Sequence, residues 1–492
     1  MNDTAMNKAD MNRKAGTAGS KSSSKKDMKQ AASVLNMTDG DPMKLILSFA
    51  LPLLIGTLFQ QFYSMVDTMI VGRMLGIEAL AGVGSTGSVN FLVNGFVIGV
   101  TNGFAIPVAQ RFGADDHRGM RRYVANMAYL SVAFSIIMTA VVSVLTRPIL
   151  VWMQTPDEIL ELAYSYIHII FLGIPAAFLY NLAANLIRSV GDSKSPLKFL
   201  ILASLMNIVL DYLSIAYLHM GVAGPAVATV ISQAVSGILC LIYMWRKFEI
   251  LRVRRDERSF DLQLCVNLCK MGIPMGLQYS ITAIGSVILQ TAVNGLGAVT
   301  VASISAGGKI SVFCCCVFDS LGATMATFAG QNAGARRLER VREGVHDAMK
   351  LASVYAIVIC LFLIAFGGKL PLLFVNASET QVISQTHRFL ICVSAFYIPL
   401  AAVNIYRFAI QGMGFSAFAI FSGVCEMIAR MLVGFIGVRL FGFTAACMAS
   451  PLAWILADLF LLPALSHCLR VMHEYLEVEE ARTHRQPAAA AH

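Results

Sequence analysis

Apolar runs of about 20 residues recur twelve times between Leu45 and the C-terminus. A run that long with almost no charge is the length of a bilayer-crossing helix, and helices satisfy their own backbone polar groups in lipid. The chain therefore reads as an all-α integral membrane protein. The spans fall near Lys44–Val71, Ala79–Val108, Tyr123–Leu145, Ile159–Ile187, Pro196–Tyr217, Val222–Trp245, Leu262–Val293, Ala298–Gly330, Ala348–Phe366, Val382–Ile410, Ser416–Val438 and Thr444–His467. Composition agrees: 57% of the 492 residues are hydrophobic and 14% are charged, which no soluble globular class matches.

The net charge is +9, and its distribution carries more than its sum. Arg111, Arg118, Arg121 and Arg122 fall in one connection, Arg246, Lys247, Arg252, Arg254, Arg255 and Arg258 in another, and Arg336, Arg337, Arg340, Arg342 and Lys350 in a third. These alternate with poorly basic connections, so the positive-inside rule puts the basic set and both termini in the cytoplasm of a cell whose (inner) membrane the chain crosses. The basic loops need no nucleic-acid partner. Residues 1–42 are rich in Lys, Ser, Asn and Met without an apolar core, and we expect a disordered basic tail. The 11 Cys form no CxxC pair and no Cys/His set with metal spacing. No GxxxxGK[ST], HExxH or GxSxG stretch occurs, so the sequence offers no ATPase or hydrolase motif, and we expect neither enzyme activity nor a cofactor.

The chain repeats itself. Pro52 sits in the first span and Pro274 in the seventh (274 − 52 = 222). At nearly the same offset AQRFGA (109–114) echoes GQNAGA (330–335), RSVGDS (188–193) echoes IQGMGFS (410–416), and GVAGPAVAT (221–229) echoes GFTAACMAS (442–450). Six spans per half is an even number, so both halves enter the membrane the same way, as parallel repeats about an axis along the membrane normal. We expect an N-terminal lobe at 43–245, a cytoplasmic linker at 246–261, a C-terminal lobe at 262–468 and a polar tail at 469–492. Two such lobes enclose a central cavity, and rocking one against the other gives alternating access. That organisation points to a transporter of small molecules, expected as a monomer in the lipid bilayer.

Polar groups inside the spans locate the candidate site. Asp67 stands well inside the apolar stretch Pro52–Gly72 of the first span, where an acid costs about 2.5–3.5 kcal/mol on insertion scales, so it reads as functional. Tyr63 lies one turn before it on the same face. Pro52, four turns earlier, lacks an N–H and is placed to kink the helix. Asn207 and Asp211 share a face of the fifth span. Asn181 and Asn185 lie on the fourth, and Thr229 opens the sixth. Such groups need partners in an apolar medium and find them in each other. Two carboxylates in one low-dielectric pocket resist carrying two charges, which makes Asp67 and Asp211 a candidate proton acceptor. Sodium would use the same oxygens. The alternative is a satisfied polar core that only fixes helix register. His168, a lone histidine inside a span, reads first as a hydrogen-bonded core residue.

The second half departs from this pattern. Leu289 stands near the place of Asp67, and Arg430 near that of Asn207. Its own polar set is Gln278, Lys309, Asp319, Arg407, Glu426, Arg430 and Asp458. Glu426 and Arg430 are four apart and expected to pair along a helix, first as structure or gate, with substrate contact as the alternative. Asp319 and Asp458 are expected to pair with Lys309, Arg407 or Arg430 or to line the cavity, and Gln278 to contact it.

The sequences LPLLIGTLFQQFYSMVDTMIVGRMLG, PVAQRFGA with its repeat FAGQNAGA, RSVGDSKSPLKF, NIVLDYLSIAYLHMGVAGPAVATVISQ and ASPLAWILADL, in that order, resemble the multidrug and toxic compound extrusion (MATE) transporters from about Leu45 to His467. The resemblance implies twelve transmembrane helices in two six-helix lobes related by pseudo-two-fold symmetry. It implies export of organic, often cationic or amphiphilic, compounds in exchange for protons or sodium, the ion gradient being the driving force. In the DinF-like branch an Asp on the first span works with partners on the fourth, fifth and sixth. The matching positions are Asp67, Tyr63, Asn181, Asn207, Asp211 and Thr229, and Pro52 matches the family's kink-forming proline. The NorM-like branch places an acid in the seventh span, where this chain has none; Thr282 stands near that place. The alternatives are a lipid-linked oligosaccharide flippase of the same superfamily and, from another class, a membrane scaffold or enzyme.

Overall fold

The computed structural model describes residues 35–153, 155–373 and 377–485. The expected tail over residues 1–34 lies outside the described residues. We number the helices α1 Pro42–Leu75, α2 Ile77–Ser85, α3 Gly87–Gly113, α4 His117–Trp152, α5 Asp157–Leu172, α6 Ile174–Ser189, α7 Lys194–Ala216 and α8 Ala223–Lys247 in the first lobe. The second lobe holds α9 Leu262–Asn294, α10 Ala298–Gly334, α11 Leu338–Phe366, α12 Thr380–Ser394, α13 Tyr397–Gly412, α14 Ala417–Leu432, α15 Val438–Phe441 and α16 Phe443–Arg485. Among the described residues ten helices are long and apolar enough to cross a membrane, and counting each of two bent pairs as one span gives twelve.

The bent pairs are repeat mates. The fourth span breaks by 46° between α5 and α6, and the tenth by 49° between α12 and α13. Pro175 and Pro399 each lie in the first turn after the break, where a missing N–H costs nothing to the new helix and prevents the old one from continuing. By contrast α1 runs through Pro52, and α9 through Pro274, without interruption. Outward faces carry exposed aliphatic and aromatic side chains such as Val144, Trp152, Leu361 and Leu459, the surface lipid would cover.

The lobes meet along α3 and α9. A Cβ on Gly99 would stand 2.5 Å from the Met275 carbonyl oxygen, and one on Gly103 would stand 2.5 Å from the Gly272 Cα. Glycines one turn apart let two backbones approach more closely than any side chain permits. The contact also crosses lobes through the core. Ile46, Phe49 and Leu53 of α1 are buried in a cluster with Phe318, Met325 and Phe328 of α10. Leu268 of α9 is buried with first-lobe residues Phe104, Met120 and Met127.

Two expectations are corrected. Residues 35–41 are not part of a loose tail: Met37 is fully buried and Thr38 nearly so. The last helix does not stop near His467 but continues to Arg485, so the expected polar tail is mostly helix among the described residues.

Candidate functional site

The fifth span supplies the floor of the first-lobe site. In α7, Asn207 and Asp211 are one turn apart and are 2% and 0% exposed, so every polar atom there needs a partner from protein. Asn207 Nδ2 donates to Asp211 Oδ1 at 3.3 Å and to Thr229 Oγ1 of α8 at 3.3 Å. Asp67 comes from α1, and its carboxyl faces that of Asp211. Tyr63, one turn along α1, lies against the same pair.

The acceptors outnumber the donors. Asp67 Oδ1, Asp211 Oδ2 and Asn207 Oδ1 are buried atoms with no hydrogen-bond partner. A cluster that fixed helix register would close its own network, because an unpaired buried acceptor is costly. Three unsatisfied oxygens, two of them on acids, are instead atoms that could accept a proton or hold a cation. A proton bridging the carboxyls would satisfy two of them. A hard cation that prefers carboxylate and amide oxygens would fit the same atoms.

Of the predicted set, Asp67, Asp211, Asn207, Thr229 and Tyr63 come together. Asn181 does not join by hydrogen bond; its Nδ2 donates to Ala177 O of its own helix at 2.8 Å. Asn185 turns to another partner, donating to Asn102 Oδ1 at 2.7 Å. Sequence reasoning missed Tyr166 of α5, which is buried and placed among Asp67, Tyr63 and Asp211. A tyrosine in an apolar helix gives no signal of its own. His168 stacks on Tyr164 with ring centroids 5.0 Å apart.

The second lobe holds a different centre. Glu426 is buried between Arg407 of α13 and Arg430 of its own helix, accepting from Arg430 Nη2 at 3.2 Å and from Arg407 Nη2. The i, i+4 pair expected from spacing is therefore present, with a second arginine added from the neighbouring helix. Both arginines are taken by Glu426, and Asp458 keeps an unpartnered Oδ1 nearby. Asp319 is exposed on α10, facing Tyr279 and Arg407. Gln278 is 3% exposed and accepts from Gln411 Nε2 at 2.8 Å, so it ties α9 to α13 rather than standing free in a cavity.

The profile of one family, MatE, matches residues 52–213 and matches again at 274–436. The chain belongs to the MatE family. The double match is the internal repeat, with the two copies beginning at Pro52 and Pro274. Among relatives of this MATE chain, the "Probable multidrug resistance protein YpnP" of Bacillus subtilis is 29% identical over 373 residues, spanning 75% of this chain and 82% of that protein. A "FAD transporter" of Shewanella oneidensis is 23% identical over 426 residues, covering 84% of this chain and 92% of that protein. Among solved structures, the "Outward-facing conformation of a multidrug resistance MATE family transporter of the MOP superfamily" superposes with a TM-score of 0.82 at 20% identity, covering 89% of this chain and 98% of that one. The fold is that of the MATE transporters, two six-span lobes.

Proposed function

We propose that this MATE protein exports small organic compounds in exchange for protons or sodium, with Asp67 and Asp211 as the coupling pair. The observation that carries the reading is the set of three unsatisfied buried oxygens on Asp67, Asp211 and Asn207. A site short of positive charge binds a cation in one state of the transporter and releases it in the other. Antagonism with drug binding follows if the ion and the drug favour different states, since coupling is reciprocal. The basic connections mark the cytoplasmic end. The interlobe hydrogen bonds run from that end to Ser280, which donates to Leu92 O at 3.2 Å, and this supports an outward-open form. Chain relatives named as multidrug resistance proteins support organic substrates. The absence of an acid in the seventh span, where Thr282 stands, favours the DinF-like over the NorM-like arrangement.

The test is ethidium efflux from proteoliposomes with a proton gradient and a sodium gradient imposed separately. Flux driven by one gradient and abolished in Asp67→Asn supports antiport and names the ion. A folded, inserted protein that moves dye under neither gradient overturns it. A second reading, export of a flavin dinucleotide, rests on the relative named as a FAD transporter; FAD in place of ethidium in the same vesicles separates the two.

A further inference from the structure

Residues 35–41 pass between the lobes at the basic end. The Met37 side chain is fully buried, its N–H donates to Gln331 Oε1 at 2.9 Å, and its carbonyl accepts from Asn332 Nδ2 at 3.1 Å. Arg337 Nη1 donates to Thr38 O at 2.6 Å, and Arg340 Nη2 to Gly40 O at 2.9 Å. All four of these partners belong to the second lobe. On the other side the segment lies on the first lobe: a Cβ on Gly191 would stand 2.1 Å from the Leu35 carbonyl oxygen. Gly191 has φ +91°, so both its backbone shape and its lack of a side chain serve this contact.

The segment has a repeat mate. Asp41 caps α1 by accepting from Lys44 N, and Asp261 caps α9 by accepting from Gln263 N and Leu264 N. Just before Asp261, the linker grips α4 of the first lobe. Glu257 accepts two hydrogen bonds from Arg121, each 2.7 Å, and Ser259 O and Arg258 O accept from Asn126 and Tyr129. Each lobe's first helix is thus led in by a segment that holds the opposite lobe. The two grips differ in kind. The linker is fixed between α8 and α9 and closed by a buried ion pair. Residues 35–41 are continuous, among the described residues, with α1 alone, and they hold by one buried apolar side chain, hydrogen bonds through their backbone and an exposed ion pair of Asp39 with Arg337.

We propose that residues 35–41 are a releasable clasp, which when docked keeps the basic end shut and which must leave Gln331 and Asn332 before the lobes part there. The coupling runs through one side chain. Gln331 accepts from Met37 N–H with its oxygen while its Nε2 donates across the lobes to Ser189 O at 2.8 Å. Swinging that amide away breaks both bonds together. The clasp rests on the alternating-access reading given above.

Hydrogen exchange followed by mass spectrometry on the full chain in nanodiscs tests it, with Met37→Glu and, in case that variant folds poorly, the surface pair Arg337→Gln with Arg340→Gln. Exchange at residues 186–192 of the first lobe and 331–340 of the second is expected to rise at least tenfold in either variant. The apparent KM for ethidium loaded from the basic side is expected to fall at least threefold, because the inward-open fraction grows. Wild-type exchange at 186–192 in variants whose residues 35–41 have become exchangeable would overturn the clasp. A wild-type protein that exports no dye counts against the transport reading, while the exchange comparison still decides whether residues 35–41 hold the lobes together.

Discussion

The carbonyl oxygen of Gln331 lies 1.9 Å from where a Cβ on Gly113 would stand, and the repeat mates Gln110 and Gly334 reproduce that distance. The ends of α3 and α10 therefore cross by backbone alone. The same glutamines bond outward from the crossing, Gln110 Nε2 to Gly412 O at 3.0 Å and Gln331 Nε2 to Ser189 O at 2.8 Å. Gly113→Ala and Gly334→Ala each place a methyl group where a carbonyl oxygen stands, and neither helix end has a side chain to move aside. Each substitution is expected to keep the basic end from closing and to reduce dye efflux more than tenfold without loss of membrane insertion. Gly84→Ala, with nothing within 4 Å of the new carbon, is the control expected to export normally. Wild-type efflux by both crossing variants would show that this contact does not gate transport.

The proposed coupling pair, Asp67 and Asp211, yields a second prediction. Asp67→Asn and Asp211→Asn replace an acceptor oxygen by a donor amide, which satisfies the orphaned oxygens internally and removes the need for a bound cation. Gradient-driven flux is expected to vanish in both, while the folded fraction in detergent stays at the wild-type level. Asn181→Ala, whose amide serves only its own helix in hydrogen bonding, is expected to retain flux within threefold. Initial rates in proteoliposomes at matched protein density check all three.

Most of this site was legible because polarity inside an apolar span is a conspicuous signal. Asp67, Asn207, Asp211 and Thr229 each stand out against their neighbours, and helical spacing puts Asn207 beside Asp211. Tyr166 did not stand out, since tyrosine is ordinary in a membrane helix and its place depends on the bend between α5 and α6. Spacing revealed Glu426 with Arg430 but not Arg407, because that contact is between helices. Residues 35–41 read as tail because their partners, Gln331 to Arg340, lie some three hundred residues away. The repeat held the clue: Asp41 corresponds to Asp261, and the linker before Asp261 is tied at both ends by spans.

The linker grip is pH-dependent in a defined direction. Hydrogen bonding from Arg121 holds the Glu257 carboxyl below the ordinary glutamate range. A depressed folded-state pKa contributes stability that is fully present above the unfolded value of about 4.3 and is lost as pH falls through the folded value. Glu257→Gln is therefore expected to be less stable than wild type at pH 7, by roughly 3–5 kcal/mol for a broken buried pair. The gap should begin to narrow as the pH falls below about 4.3 and close only below the depressed folded value, where the native wild-type carboxyl is protonated too. Chemical unfolding in detergent at a series of pH values measures the difference. A gap that stays constant from pH 7 to pH 3 would show that the ion pair contributes nothing.

The second-lobe centre gives the last prediction. Glu426 is the shared acceptor of two buried arginines, and Arg407 Nε and Arg430 Nη1 already lack partners. Glu426→Gln leaves two cations facing each other in a low-dielectric interior, a loss of roughly 3–5 kcal/mol on the scale of broken buried pairs. Adding Arg430→Met removes one of the cations and is expected to recover more than half of that loss, because it ends the repulsion between the two arginines and returns the centre to its wild-type net charge. If Glu426 serves only structure, the double variant should export dye at the wild-type rate once it is folded. If the centre gates the lobe, stability returns and export does not. Thermal unfolding of the purified protein and efflux from the same preparation, measured together, separate these outcomes. A Glu426→Gln protein as stable as wild type would show that the two arginines reach water without it.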